Sequence, residues 1–256
     1  MIAEIVEALK LPEKARVEQR VPKKTLTDHG AATAADKRSI QDGIEELVWV
    51  AALKPANIGV PDFRDDTREY LEIAVLTLAL RPEAKAARLF ELVHRAIPYP
   101  VFLVSSCENV TTISLAHKRF SEGQRDKYVL EETATVELSR AAEATPRDRL
   151  LESLAIASVA AANLFELYQG WFHRLAAFQA AAITGSFALP ATPECAISVK
   201  ENLASHAKLT REIQALRSQA AKEKQLARRV EMNVTIKRLE SELANLATSL
   251  EGQGAL

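Results

Sequence analysis

The chain has 256 residues, of which 48% are hydrophobic and 26% charged, with a formal net charge of -1. That is enough apolar material for one large domain or two small ones, and the charge balance excludes nucleic-acid binding by bulk charge, leaving only a local basic face. Two distant cysteines, Cys107 and Cys195, exclude a disulfide framework; with Glu4 and Glu7 in place of an apolar signal core, and no uncharged stretch near the ~20 residues of a membrane span, a cytoplasmic protein is expected.

Ile2, Ile5, Val6 and Leu9 share one helix face, and Pro12 ends that helix. A basic connector follows, with Lys14, Arg16, Arg20, Lys23 and Lys24 set against Glu13 and Glu18. Thr33 reads as the N-cap of a second helix, with Asp36 at the third helical position as in a capping box. Ile40, Ile44, Leu47 and Val48 extend that helix as an apolar stripe to about Leu53, before Pro55. The run from Tyr70 to Leu80, with β-branched Ile73, Val75 and Thr77, predicts a strand covered on both faces. Pro82 opens a helix whose apolar face is Ala86, Leu89, Phe90, Val93 and Ile97, closed by Pro98 and Pro100. Val101 to Ser106 is a strand, Glu108 and Asn109 a tight connection, and Val110 to His117 its hairpin partner. Tyr128 to Leu138 adds one more strand. The first and second of these strands are expected parallel through the helical crossover, and the last pair antiparallel.

Residues 145–189 are helical and alanine-rich, with Phe165, Tyr168, Trp171, Phe172 and Phe178 concentrated there. Gly185, Pro190 and Pro193 mark a linker. Beyond it no glycine or proline occurs until Gly252. Leu209, Ile213, Leu216 and Ala220 step by four, three and four, and Ala227, Val230 and Val234 continue that frame past Glu223. Ile236, Leu239, Leu243, Leu246 and Leu250 repeat the spacing in a shifted frame. This is a helix-packing signature. With no turn residue on offer, one continuous helix that projects or bends back, up to roughly 75 Å if straight, is favoured over an antiparallel hairpin. The expected fold is α/β (α+β): a small mixed sheet with a βαββ core, flanking helices and a long coiled-coil-like tail. Its regions are 1–140 (α/β with N-terminal helices), 145–189 (helices packing on it) and 194–256 (the tail).

Catalytic motifs are sparse. A restriction-type nuclease needs an acid on one strand and an acid-x-Lys triplet on the next, the carboxylates holding a divalent metal. Glu72 and Lys118 suit two of these roles, but Ala116 stands where the second carboxylate belongs. His94 and His117 fall in the same α/β stretch without metal-ligand spacing, so structural histidines are favoured. Cys107 has no base placed beside it. Neither a glycine-rich phosphate loop nor a G-x-S-x-G elbow occurs. The candidate catalytic set is therefore Glu72, His94, His117 and Lys118, with no metal site and no cofactor expected. Lys14, Arg16, Arg20, Lys23, Lys24, Lys118 and Arg119 are the candidate nucleic-acid contacts, Lys118 and Arg119 as a strand-end rim or phosphate contact. For partner binding the candidates are Ile213, Leu216, Val230, Val234, Ile236, Leu239, Leu243 and Leu246.

Several segments, in order along the chain, carry a family resemblance. They are Val21-Pro22-Lys23-Lys24, Ala34-Ala35-Asp36-Lys37-Arg38, Ile44 to Trp49, Leu53-Lys54-Pro55, Glu69 to Val75, His94 to Pro100, Ser114 to Arg119, Lys222 to Gln225 and Val230 to Glu240. With these the chain resembles the prokaryotic domain-of-unknown-function family 4391. The resemblance transfers no catalytic residue. It implies a setting beside DNA methyltransferases and helicases in restriction-modification-like, phage-defence clusters, an association rather than a physical argument. The reading it supports is a non-enzymatic accessory or assembly subunit of such a complex. Protein partners, methyltransferase or helicase subunits, dock on the tail; DNA is reached directly or through them, and no membrane is involved. The alternatives are a divergent metal-dependent nuclease or nucleotide-processing enzyme, and a structural protein self-associating through its tail.

Overall fold

The computed structural model describes residues 1–122, 128–139 and 144–252. Residues 123–127 and 140 of the expected α/β region and residues 253–256 of the expected tail lie outside them. The chain divides into two compact units, Met1–Leu175 and Ala176–Leu256.

The first unit is built on a mixed sheet in the order β1-β2-β5-β6-β7-β8. Its strands are β1 (Arg16–Arg20), β2 (Ile44–Leu53), β5 (Ile73–Leu80), β6 (Val101–Cys107), β7 (Val110–Phe120) and β8 (Tyr128–Ser139). Only β5 and β6 are parallel, joined through α5 (Ala86–Ala96); the other neighbours are antiparallel. The expected βαββ core is thus the centre of a wider sheet. After the short helix α4 (Pro55–Ile58), a separate ribbon pairs β3 (Phe63–Arg64) with β4 (Glu69–Tyr70).

Two expectations for the N-terminal part are corrected. After α1 (Ile2–Ala8), the basic connector is structured: it forms a short 3-10 turn (Glu13–Ala15), the edge strand β1, and the start of α2 (Lys23–His29). The second helix, α3 (Ala34–Gly43), stops ten residues early, and Ile44–Leu53 is β2. Ile44, Val48 and Val50 are β-branched, and the sheet gives them partners on both sides, β1 and β5. Apolar spacing alone leaves helix and strand open in so short a run, and the pairing decides it. The predicted cap holds: Thr33 Oγ1 accepts from the Asp36 backbone N–H at 3.1 Å. The Asp36 carboxylate in turn accepts hydrogen bonds from Thr33, and it takes a bidentate pair from Arg88 of α5 at 2.8 and 2.9 Å, tying α3 to α5.

Alternation along the strands sorts side chains to two faces. On one face Ile44, Leu47, Leu76, Leu78 and Leu103 pack under Leu26 of α2, Ile40 of α3 and Leu89, Leu92 and Val93 of α5. On the other, Phe102 meets Trp171 edge-on, with ring centroids 5.0 Å apart. Trp171 and Tyr168 belong to α7 (Leu164–Thr184), within which the unit boundary falls. The Tyr168 hydroxyl donates to the Val101 carbonyl at 2.7 Å and accepts from the Ala116 N–H at 2.9 Å, so it stitches α7 to β6 and β7. Arg174 of α7 is buried and donates to the carbonyls of Ser153, Ser158 and Gly170. These fasten α7 to the turn after α6 (Ala144–Ser153).

The second unit contains the end of α7, α8 (Pro193–Lys222) and α9 (Leu226–Gly252). The tail is helical, as expected, but it is two helices. Residue Glu223 takes an extended backbone (φ -74, ψ 125), and its carboxylate accepts from the Gln225 N–H at 2.7 Å, starting α9. Asn202 reaches Ser249, and Arg217 reaches Glu240 at 2.6 Å, so α8 and α9 run antiparallel. A Glu-Lys-Gln turn does what glycine or proline was expected to do.

Candidate functional site

Beside α5 the first unit opens into a groove of about 1490 Å³. One wall comes from α5 and the end of α2; the floor is the face of β7 and β8 that α5 leaves uncovered. Register places Ser114 opposite Thr135, Ala116 opposite Thr133 and Thr112 opposite Glu137, so hydroxyls fall in rows along the floor.

His94 lines the groove near the end of α5 and is 1% exposed. Its Nε2 lies 3.0 Å from Ser114 Oγ, to which Thr135 Oγ1 donates at 3.3 Å. His94 Nδ1 is buried without a hydrogen-bond partner. Burial, reinforced by the Lys118 charge, pushes the imidazole down to about 3. It is therefore neutral near pH 7 and a poor general base, although the Ser-His pair resembles the start of a triad.

Lys118 is not a rim residue or a phosphate contact, which corrects the expectation for it. It is 3% exposed, and its ammonium donates to the carbonyls of Ile97 and Tyr99, capping the end of α5. Burial lowers it to about 7. His117 projects to the opposite face of β7 from Ser114. There the Tyr70 hydroxyl hydrogen-bonds to its Nδ1, and its ring stacks on Phe172 with centroids 4.2 Å apart. Glu72 is buried and held by Lys54 Nζ at 3.0 Å. The structure thus brings His94 near Lys118 but sets His117 across the sheet and engages Glu72 elsewhere. The convergence that a nuclease requires does not occur among these four. Among the described residues, no group of three or more His, Cys, Asp or Glu is placed to hold a metal ion.

The basic candidates are partly neutralised. Arg16 pairs with Glu13 and Glu18, Arg20 with Glu46, and Arg119 with Glu122. Lys23 donates to the Gln41 carbonyl at 2.9 Å, and partial burial with the Arg81 and Arg20 charges lowers its affinity for a proton. Lys14 and Lys24 are exposed.

In the hairpin, Ile213, Ile236 and Leu239 are buried together with Leu209, Leu216 and Leu243 packed against them, and Leu246 is half-buried. Those partner candidates serve the hairpin's own seam. Val230 and Val234 are different: they are 52% and 64% exposed, and Leu226 is 65% exposed. At 3.6 residues per turn these three share a face of α9 opposite the seam. The frame shift read from the sequence is the switch between these faces.

Ser114 and Thr135 were missed by sequence reading. The available signal was the alternation of hydroxyls at 112 and 114 and at 133 and 135, which marks one polar face on paired strands. Among the described residues no helix is long and apolar enough to cross a membrane. The family model described as Domain of unknown function (DUF4391) matches residues 9–243, and the chain belongs to that family. No curated protein and no solved structure matches it.

Proposed function

We propose that this family member is a non-enzymatic accessory or assembly subunit of a cytoplasmic DNA methyltransferase/helicase complex of the restriction-modification-like, phage-defence kind, and that it docks a helical partner on α9. The observation that carries the reading is the stripe of Leu226, Val230 and Val234. Single exposed apolar residues are ordinary, but three at i, i+4 and i+8 on one helix face form a continuous seam without a partner. Such a face suits the groove-and-ridge packing of another amphipathic helix. DNA is reached through the partners, because most of the candidate basic side chains already serve internal ion pairs or carbonyls.

The test is co-purification of the intact chain with the products of neighbouring genes, beside a Val230→Glu/Val234→Glu double variant. The reading expects the wild-type complex and at least a tenfold loss in the variant, whose helical content is unchanged. A complex that survives the double substitution overturns it. A wild-type chain that instead forms a dimer abolished by the same substitutions replaces it with self-association.

A further inference from the structure

We infer that the groove beside α5 receives an extended, basic peptide segment of a partner protein. This site is separate from the α9 face and independent of the preceding reading. Three observations carry it.

The first is size and shape. At about 1490 Å³ the groove exceeds the ~300–1,000 Å³ of ordinary small-molecule pockets, and its floor runs along two strands. An extended chain fits this better than a compact ligand. The second is hydrogen bonding. Hydroxyls of Thr133 and Thr135 alternate along β8 at the two-residue spacing of a strand, about 7 Å, the same repeat as the amides of an extended peptide. The third is charge. Glu91 is already shared between Arg88 and Arg95, at 2.6 Å each. Asp28 and Glu137, which also line the groove, have no ion pair among the described residues. Two carboxylates without an ion pair among the described residues attract lysine or arginine side chains and repel phosphates, so a peptide is favoured over a nucleic-acid strand.

The experiment selects a random octapeptide library on the intact protein and measures the enriched peptides by fluorescence polarisation. The expected result is enrichment of sequences with two or more Lys or Arg and micromolar binding that weakens with salt. Affinity should fall at least tenfold in Glu137→Lys and in Thr133→Trp, which blocks the floor without changing charge. Both positions are exposed, so the fold is kept, and a thermal melt verifies it. The Val230→Glu/Val234→Glu variant should bind these peptides as wild type does, separating this site from the α9 face. Absence of enrichment, enrichment of acidic or neutral sequences, affinity indifferent to Thr133→Trp, or preferential binding of a dT12 oligonucleotide would each overturn the proposal.

Discussion

The two units solve the burial problem differently. The α/β unit encloses its largest side chains completely: Trp171, Tyr70, Tyr168 and Phe102 have essentially no exposed surface, and even His94 and Lys118 are buried and hydrogen-bonded. The second unit has thin seams. One is formed by Ile213, Ile236 and Leu239, another by Ala180, Val199 and Leu250, while Ile197, Leu226, Val230 and Val234 face outward. A sheet covered by helices can hide apolar residues on both faces, whereas a pair of helices hides one stripe of each. The comparison teaches where apolar surface is closed off and where it is left open: the first unit completes a closed core, and the second leaves the Leu226, Val230 and Val234 face of α9 exposed.

The sharpest way to break this comparison is Trp171→Ala. The indole packs on Phe102, and its N–H donates to the Leu154 carbonyl at 3.0 Å. Its loss should cost about 3–5 kcal/mol in denaturant melts. Hydrogen exchange should show the loss in the sheet amides; equal loss of protection in α8 and α9 would mean that the two units do not hold their stability separately.

Acid should act next, again on the first unit. His94 is depressed to about 3 when folded, from 6.5 when free, so the unfolded chain takes the proton first. Its contribution is fully present above about pH 6.5 and is lost as pH falls toward 3, by roughly a few kcal/mol. Asp36 is also depressed, to about 2, chiefly by the Arg88 hydrogen bonds. Its contribution is present above the ordinary carboxylate range and disappears as pH falls through 2. Stability measured from pH 6.5 to pH 4 should therefore decline, and His94→Gln should flatten that slope. An unchanged slope would remove His94 as its source.

The smallest expected effect is in the hairpin. Leu239→Ala empties part of its seam and should cost about 2 kcal/mol, the low end for a buried leucine, because a seam between two helices collapses more readily than a closed core. The readout is loss of helical circular dichroism at a lower temperature than in the wild type. A cost as large as that of Trp171→Ala would contradict the view of the hairpin as the thinner structure.

Much of this was legible in the residues. The first helix, the strands β5 to β8, the crossover helix and the Thr33 cap all follow from spacing and capping chemistry within a few residues. The break at Glu223 and the shift between Val234 and Ile236 were visible as irregularities, though their meaning was not. The candidate site was far less legible. Glu72, His94, His117 and Lys118 were grouped by chemical type and by nearness in the chain, and strand alternation then sent His117 to the opposite face from His94.

By itself the sequence determined local character: which segments are helical, where β-branched runs lie, and that the tail carries two apolar frames. These depend on periodicity and on backbone preferences of a few neighbouring residues. Only the tertiary structure decided that Ile44–Leu53 is a strand, that the tail closes on itself, and that Ser114 links His94 to Thr135 across three elements. Each of these depends on a partner distant in the chain. Unpaired, β2 is as good an apolar helix stripe as a strand, and α9 has no reason to bury Ile236 and Leu239 rather than Val230 and Val234 until α8 lies against it.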